Sequence, residues 1–268
     1  MTRLLIILIS FCFFQCQSQP QKDETPEEKK VRQEAIIKQH IHDCADKINY
    51  RIMMNEYQNC LDAGLKKDST IAYLWQQKAM PYYKARKYSV GKPFLDKAVQ
   101  YDEKRWLSYR GFMKCIFSRD YIGAIEDFEK CIEKYGNSYE MDHTYAFYIG
   151  LSYLQLNDFE KAEAIFKSDI EDQEKRMKEA HFLDLFYYGL AKFEQQKWEE
   201  AIVEFDKSLK QYPQFSEVEY YKAICLAHLG KREESKVLFE KAKNDAETGY
   251  TINEDNAIYE TYPYKVRW

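Results

Sequence analysis

The residues able to do chemistry are few. The 268-residue chain holds 5 His and 7 Cys. His40 and Cys44 stand one helical turn apart, with His42 between them. A metal needs three or four ligands at once, and no further donor joins this group, so a polar helix face is expected there. His143, His181 and His228 are scattered along the chain. Asn253-Glu254-Asp255-Asn256 offers oxygens without the spacing of a calcium loop. No Gly-rich phosphate loop, Gly-x-Ser-x-Gly elbow or His-Glu-x-x-His motif occurs. Carboxylates are plentiful but spread as on solvated helix faces. No catalytic residue, metal site or cofactor site is therefore expected. Lys and Arg total 40 against 44 Asp and Glu, a net charge of −4. That leaves no basic excess to hold nucleic-acid phosphates.

With so little chemistry on offer, the elements themselves must carry the function. Only 9 Gly and 6 Pro argue against the many tight turns of a sandwich or barrel. An apolar content of 45% is enough for a core. One pattern recurs: an aromatic residue, a small residue three later, a bulky apolar residue four beyond. It reads Tyr88-Gly91-Leu95, Tyr121-Ala124-Phe128, Phe159-Ala162-Phe166 and Trp198-Ala201-Phe205. A last copy is Arg232-Ser235-Phe239, and a weak first copy is Tyr57-Cys60-Gly64. A period near 34 residues with this signature resembles the tetratricopeptide repeat, or TPR. The resemblance covers about residues 41–243.

It implies an all-α solenoid of stacked antiparallel helix pairs, about five to six repeats. Small residues fall where paired helices approach, as at Ala79, Gly150, Gly189 and Ala223, while Gly111 is one residue out of register. Bulky residues fill the gaps between helices. A pair cannot bury its own face, so pairs stack. The longer steps between copies predict extra length at 135–141 and 172–181, the charged stretch 171–178 being a solvated helix extension. Pro93 is expected to open its helix at the first position and Pro81 to kink one. The repeat register places Cys60 and Cys131 in small slots and puts Cys115 too far from Cys131 for a bridge. Cys44, Cys60, Cys115, Cys131 and Cys225 are therefore expected as free buried thiols.

In this family the first helix of each pair lines a concave face. Carried over by position, that face receives Tyr73, Trp106, Tyr109, Arg110, Phe147, Tyr148, Phe186, Tyr187, Tyr220 and Tyr221. The resemblance makes these the candidate partner-binding residues, for an extended or helical apolar segment of a protein or peptide. The alternative is that the rings bury one another.

At the N-terminus, Arg3 precedes an apolar run from Leu4 to Phe14, too short to span a membrane. Cys16 follows, and this resembles the lipobox of bacterial lipoproteins in a relaxed form like that of Bacteroidetes. Gln15 stands where a small residue is usual. Lys22-Asp23-Glu24 resembles a surface-export signal or is an ordinary charged tether. The expected organisation is a signal peptide (1–15), lipidated Cys16 with a flexible linker (16–30), the solenoid (31–243) and a capping tail (244–268). Five aromatics in the tail, Tyr250, Tyr259, Tyr262, Tyr264 and Trp268, would be costly to leave in water. The tail is expected to cap the last pair or else to enter the groove. The implied protein is a non-catalytic, exported, outer-membrane-anchored scaffold, periplasmic or at the cell surface, touching the membrane only through its lipid. The alternatives are an immunity or inhibitor protein against a secreted toxin, and a carbohydrate-binding or enzyme-associated subunit.

Overall fold

The computed structural model describes residues 24–254 and 256–268. Its helices form six consecutive antiparallel pairs: α1 (Pro26–Ile37) with α2 (Met54–Lys67), α3 (Ala72–Lys84) with α4 (Tyr88–Tyr101), α5 (Glu103–Phe112) with α6 (Tyr121–Tyr135), α7 (Tyr145–Gln155) with α8 (Phe159–Met177), α9 (Phe182–Glu194) with α10 (Trp198–Gln211), and α11 (Ser216–His228) with α12 (Arg232–Glu247). Each helix packs on its sequence neighbours, so the array is an all-α solenoid. Among the first helices, α9 also touches both α7 and α11, which puts these three on the inner side of the curve. Among the described residues no helix is long and apolar enough to cross a membrane. The expected signal peptide and Cys16 lie outside the described residues.

The repeat pattern works through one recurring contact. The small residue of the first helix receives the aromatic ring of the second. A Cβ placed on Gly150 would lie 2.9 Å from the Phe166 ring, and one on Gly189 would lie 2.5 Å from Phe205. Gly111 meets Phe128 in the same way despite standing one residue out of register. A π-turn at Met113–Ser118 follows α5 and absorbs that extra residue before α6 begins. This seam gives a test of sign. On an open helix surface Gly→Ala stabilises by about 1 kcal/mol. Against Phe205, the added methyl overpacks, at a cost of about 1–3 kcal/mol. Gly189→Ala is expected to lower stability by about 1 kcal/mol net in urea unfolding. A gain in stability would contradict the packing account.

The longer steps are filled as the charge pattern anticipates in one place and differently in another. α8 runs 19 residues, and its charged last turns carry the extra length. Between α6 and α7 the chain forms a short antiparallel ladder instead, β1 (Tyr139–Glu140) with β2 (His143–Thr144). Pro93 does not open α4: it lies within the helix, which starts at Tyr88, and Pro81 lies within α3.

The cysteine expectation fails at one pair. Cys44 and Cys60 are bridged, with Cα atoms 5.9 Å apart. Cys44 belongs to no repeat position. It sits where the chain leaves a π-turn (Lys38–His42) and folds back over α2. The bridge closes a short loop beside a small apolar cluster of Ile36, Ile41, Leu61, Leu65, Ile71 and Leu74. Cys115, Cys131 and Cys225 are free and buried, and burial pushes each thiol up to about 12, so they stay protonated and unreactive.

Candidate partner-binding face

The first helices α7, α9 and α11 form an inner face, and the chain's own tail lies across it and on to the turns after α3 and α5. The tail starts on the last pair, where the Ser216 N–H donates to the Tyr250 carbonyl at 3.0 Å. The Ile252 N–H donates to Glu217 at 3.0 Å, and the Ile252 side chain is buried. Glu254 reaches His143, just before α7, at 3.4 Å. Glu260 reaches the turns after α3 and α5. It accepts from the Tyr88 hydroxyl, pairs with Arg86 at 2.9 Å and lies 4.0 Å from Arg119. Arg86 also donates to the Tyr259 carbonyl, and the Lys84 ammonium lies 5.1 Å from the Tyr259 ring. The chain then turns back. The Tyr187 hydroxyl donates to the Pro263 carbonyl at 2.8 Å, and that of Tyr264 donates to Glu194 at 2.8 Å. The last residue, Trp268, packs edge-on against Tyr220 with centroids 5.5 Å apart. The tail therefore both closes onto the last pair and runs the length of the face to the second.

The face residues read from the repeat register fall into four groups, with Tyr187 in two of them. Tyr187, Tyr220 and Tyr221 meet the tail directly, Tyr221 through a 3.4 Å hydrogen bond to the Tyr264 carbonyl. Tyr148 and Tyr187 are fully buried. Burial first, and then the neighbouring Tyr262 phenol, hold both hydroxyls well above their ordinary 10. Tyr73 stacks on Trp106 at 6.2 Å, Arg105 covers the Trp106 ring, and Tyr109 packs edge-on to it. The remaining three do not face the groove. Phe147 and Phe186 pack inward on Phe166 and Phe205 of their partner helices. Arg110 grips Asp127 of α6 with two bonds of 2.7 and 2.8 Å and reaches Asp96 of α4 at 2.8 Å. Adjacent helix positions diverge by 100°, and in α7 and α9 this turns Phe147 and Phe186 inward while Tyr148 and Tyr187 lie toward the groove; in α11 both Tyr220 and Tyr221 reach the tail.

The structure also brings together histidines that look scattered in sequence. His143 Nδ1 lies 2.7 Å from Asp184 Oδ1, and His181 Nδ1 lies 3.8 Å from the same oxygen. These three donors fall within 4.8 Å of one another, so a metal reading has to be weighed. Their atoms are already engaged. His181 Nδ1 accepts from the Leu183 N–H as a helix cap, and the other Asp184 oxygen accepts from Gln173 at 2.7 Å. Thr144 and Gln173 in turn donate to Asp169. This is a hydrogen-bonded ion-pair network tying the ends of α7, α8 and α9 together. Its signal in the sequence is that His143 and His181 each stand just before the first helix of a pair, 38 residues apart where the repeat step from Phe159 to Trp198 is 39.

Burial opposes a charged His143, but Asp184 and then Glu254 outweigh it and raise the imidazole from 6.5 to about 9. His143 is thus cationic at neutral pH. Its contribution is complete below 6.5 and is lost as pH rises through about 9. Unfolding measured against pH is expected to show a step of this sense, on the order of 3 kcal/mol. His143→Gln should remove the step, and a step that survives the substitution would assign it elsewhere.

Comparison with known proteins agrees with this architecture. A tetratricopeptide repeat family model matches residues 185–214, within α9 and α10 and the turn beyond them. No curated protein matches the chain. Among solved structures it is similar to a tetratricopeptide repeat protein from Parabacteroides merdae, with TM-score 0.61, 16% identity, and 80% of each chain covered. It is also similar to PilW, a type IV pilus biogenesis factor, with TM-score 0.60, 13% identity, and 82% of this chain and 96% of that one covered. A third is YrrB, described as a TPR protein with an unusual peptide-binding site, with TM-score 0.51, 17% identity, and 70% and 93% covered. At these identities the likeness is one of fold.

Proposed function

We propose, from the premise that this chain folds as a tetratricopeptide-repeat solenoid, that it is a non-catalytic scaffold holding a protein or peptide segment on the inner face of its first helices. The observation that carries this reading is the docked tail. The face holds a non-repeat peptide segment by arginine–carboxylate pairing, tyrosine hydroxyls on backbone carbonyls and ring contacts. Those are the means by which a protein surface binds a peptide. The peptide-binding site named for YrrB is consistent with such a use. A sugar platform needs flat exposed rings. Tyr148 and Tyr187 are fully buried, and Tyr220 is edge-on to Trp268, so the carbohydrate reading loses its support.

The scaffold is proposed to work in the bacterial envelope, exported and anchored through a lipid on Cys16. The apolar run from Leu4 to Phe14 ending near Cys16 supports export. The Cys44–Cys60 bridge suits an oxidising compartment. Radioactive palmitate is expected to label the wild-type chain and not Cys16→Ser. Equal labelling of both would refute the anchor. For the binding face, cross-linking in cells should trap the same protein partner with the wild-type chain on repeated trials and lose it with Tyr220→Ala. Trapping that is indifferent to Tyr220 would refute the inner face.

A further inference from the structure

We propose that residues 250–268 are an exchangeable resident ligand of the inner face. The partner that replaces them is a protein segment of the same chemistry: a carboxylate followed, two residues on, by an aromatic-Pro-aromatic turn. This rests on the scaffold reading and adds the partner's recognition pattern and its competitor.

The tail shows what the face selects. Its buried anchors are Ile252, Glu260 and Tyr262, while the intervening Ile258 is 79% exposed. Glu260-Thr261-Tyr262-Pro263-Tyr264 is the compact part of the pattern. The Glu260 carboxylate meets two arginines and a tyrosine hydroxyl at one end of the face. Tyr262 is buried in the same apolar cluster as Tyr148 and Tyr187. Pro263 offers its carbonyl to Tyr187, and Tyr264, with φ of 61°, turns its ring onto Tyr221. A segment lacking the carboxylate leaves Arg86 and Arg119 without their shared partner. One lacking the first aromatic leaves an empty space in that cluster.

Exchange follows from how unevenly the segment is held. Arg86 and Arg119 are 65% and 58% exposed, so their grip on Glu260 is open to water and to competing carboxylates. The repeats close their own seams through Gly111, Gly150 and Gly189 without any tail residue. Beneath the tail, however, lies a row of large rings that cannot stay bare without forming an adhesive patch. Exchange of the tail for another segment of like chemistry is therefore favoured over leaving the face bare. Being tethered, it competes at a high effective concentration, so it sets a threshold that a weak ligand does not pass.

The test uses the full-length chain and, as probe, a fluorescein-labelled peptide of residues 256–268. Titrations compare wild type with Glu260→Gln and with Glu260→Gln/Tyr262→Ala, both retaining the whole solenoid. The peptide is expected to bind the two variants at least about tenfold more tightly than wild type, because the resident competitor is weakened. A peptide carrying the same two changes should bind at least about tenfold more weakly than the native peptide. Equal affinity for wild type and both variants, or equal binding of native and altered peptides, would overturn the proposal. So would absence of binding to any variant, which would make the tail a fixed part of the fold. Dimerisation through exchanged tails would assign the site to a second copy and overturn the partner assignment. If cross-linking still depends on Tyr220 while the peptide results are negative, this inference falls and the scaffold reading stands.

Discussion

Asp184→Ala is expected to lower the stability of the folded chain by about 4 kcal/mol, the scale for breaking a buried ion pair by removing one partner. Asp184 lies in the first turn of α9 and is almost wholly buried. Burial alone would raise its carboxyl, yet His143 and then His181 hold it well below the ordinary range. One oxygen accepts from His143 and the other from Gln173. Alanine would leave the imidazolium buried with Glu254 alone at 3.4 Å. His143 would then lose its proton at lower pH, because burial would no longer be outweighed. The alkaline step near pH 9 should vanish together with the stability. Asp184→Asn keeps an acceptor for His143 but turns its amide toward the Gln173 amide, so an intermediate loss is expected. The check is urea unfolding at pH 7 and at pH 10. An Asp184→Ala chain as stable as wild type would mean that the network is ornamental.

The second large effect is at the tail. Burying an aromatic side chain of this size contributes about 3 kcal/mol, and Tyr262 is 3% exposed. Tyr262→Ala is expected to cost about that much in docking of the tail. The loss in global stability is capped, because a tail that has undocked leaves the solenoid folded. The signature is therefore local. Amides of residues 250–268 should exchange faster while those of α7 and α9 stay protected in their interiors. A dye that binds exposed apolar surface should then respond to the uncovered rings. Uniformly faster exchange over the whole chain would show instead that tail and repeats unfold as one unit.

The solenoid was legible because its rule is local and repeated. Small residues such as Ala162 and Ala201, each four residues before a Phe, announce where helices meet. Gly111 looked misplaced because a π-turn inserts its extra residue without a sequence mark. The inward packing of Phe147 and Phe186 was hidden by helix rotation, since the register names two neighbours and the fold turns only one outward. The Cys44–Cys60 bridge was missed because Cys44 lies in an irregular segment to which no repeat position applies. The path of the tail depends on contacts between residues more than 170 apart, such as Tyr88 with Glu260. No periodicity encodes that, although the aromatic excess in the tail showed that it had to pack somewhere.

The central claim is that the inner face binds peptide and is filled by the chain's own tail. Photo-cross-linking from position 259 tests it most directly. With Tyr259 replaced by p-benzoylphenylalanine in the full-length chain, irradiation and mass spectrometry should place the cross-link at the end of α3. There Lys84 lies over the Tyr259 ring, and Arg86, in the turn beyond, bonds the Tyr259 carbonyl. Cross-links confined to α11 and α12 would make the tail a cap on the last pair and would contradict the account.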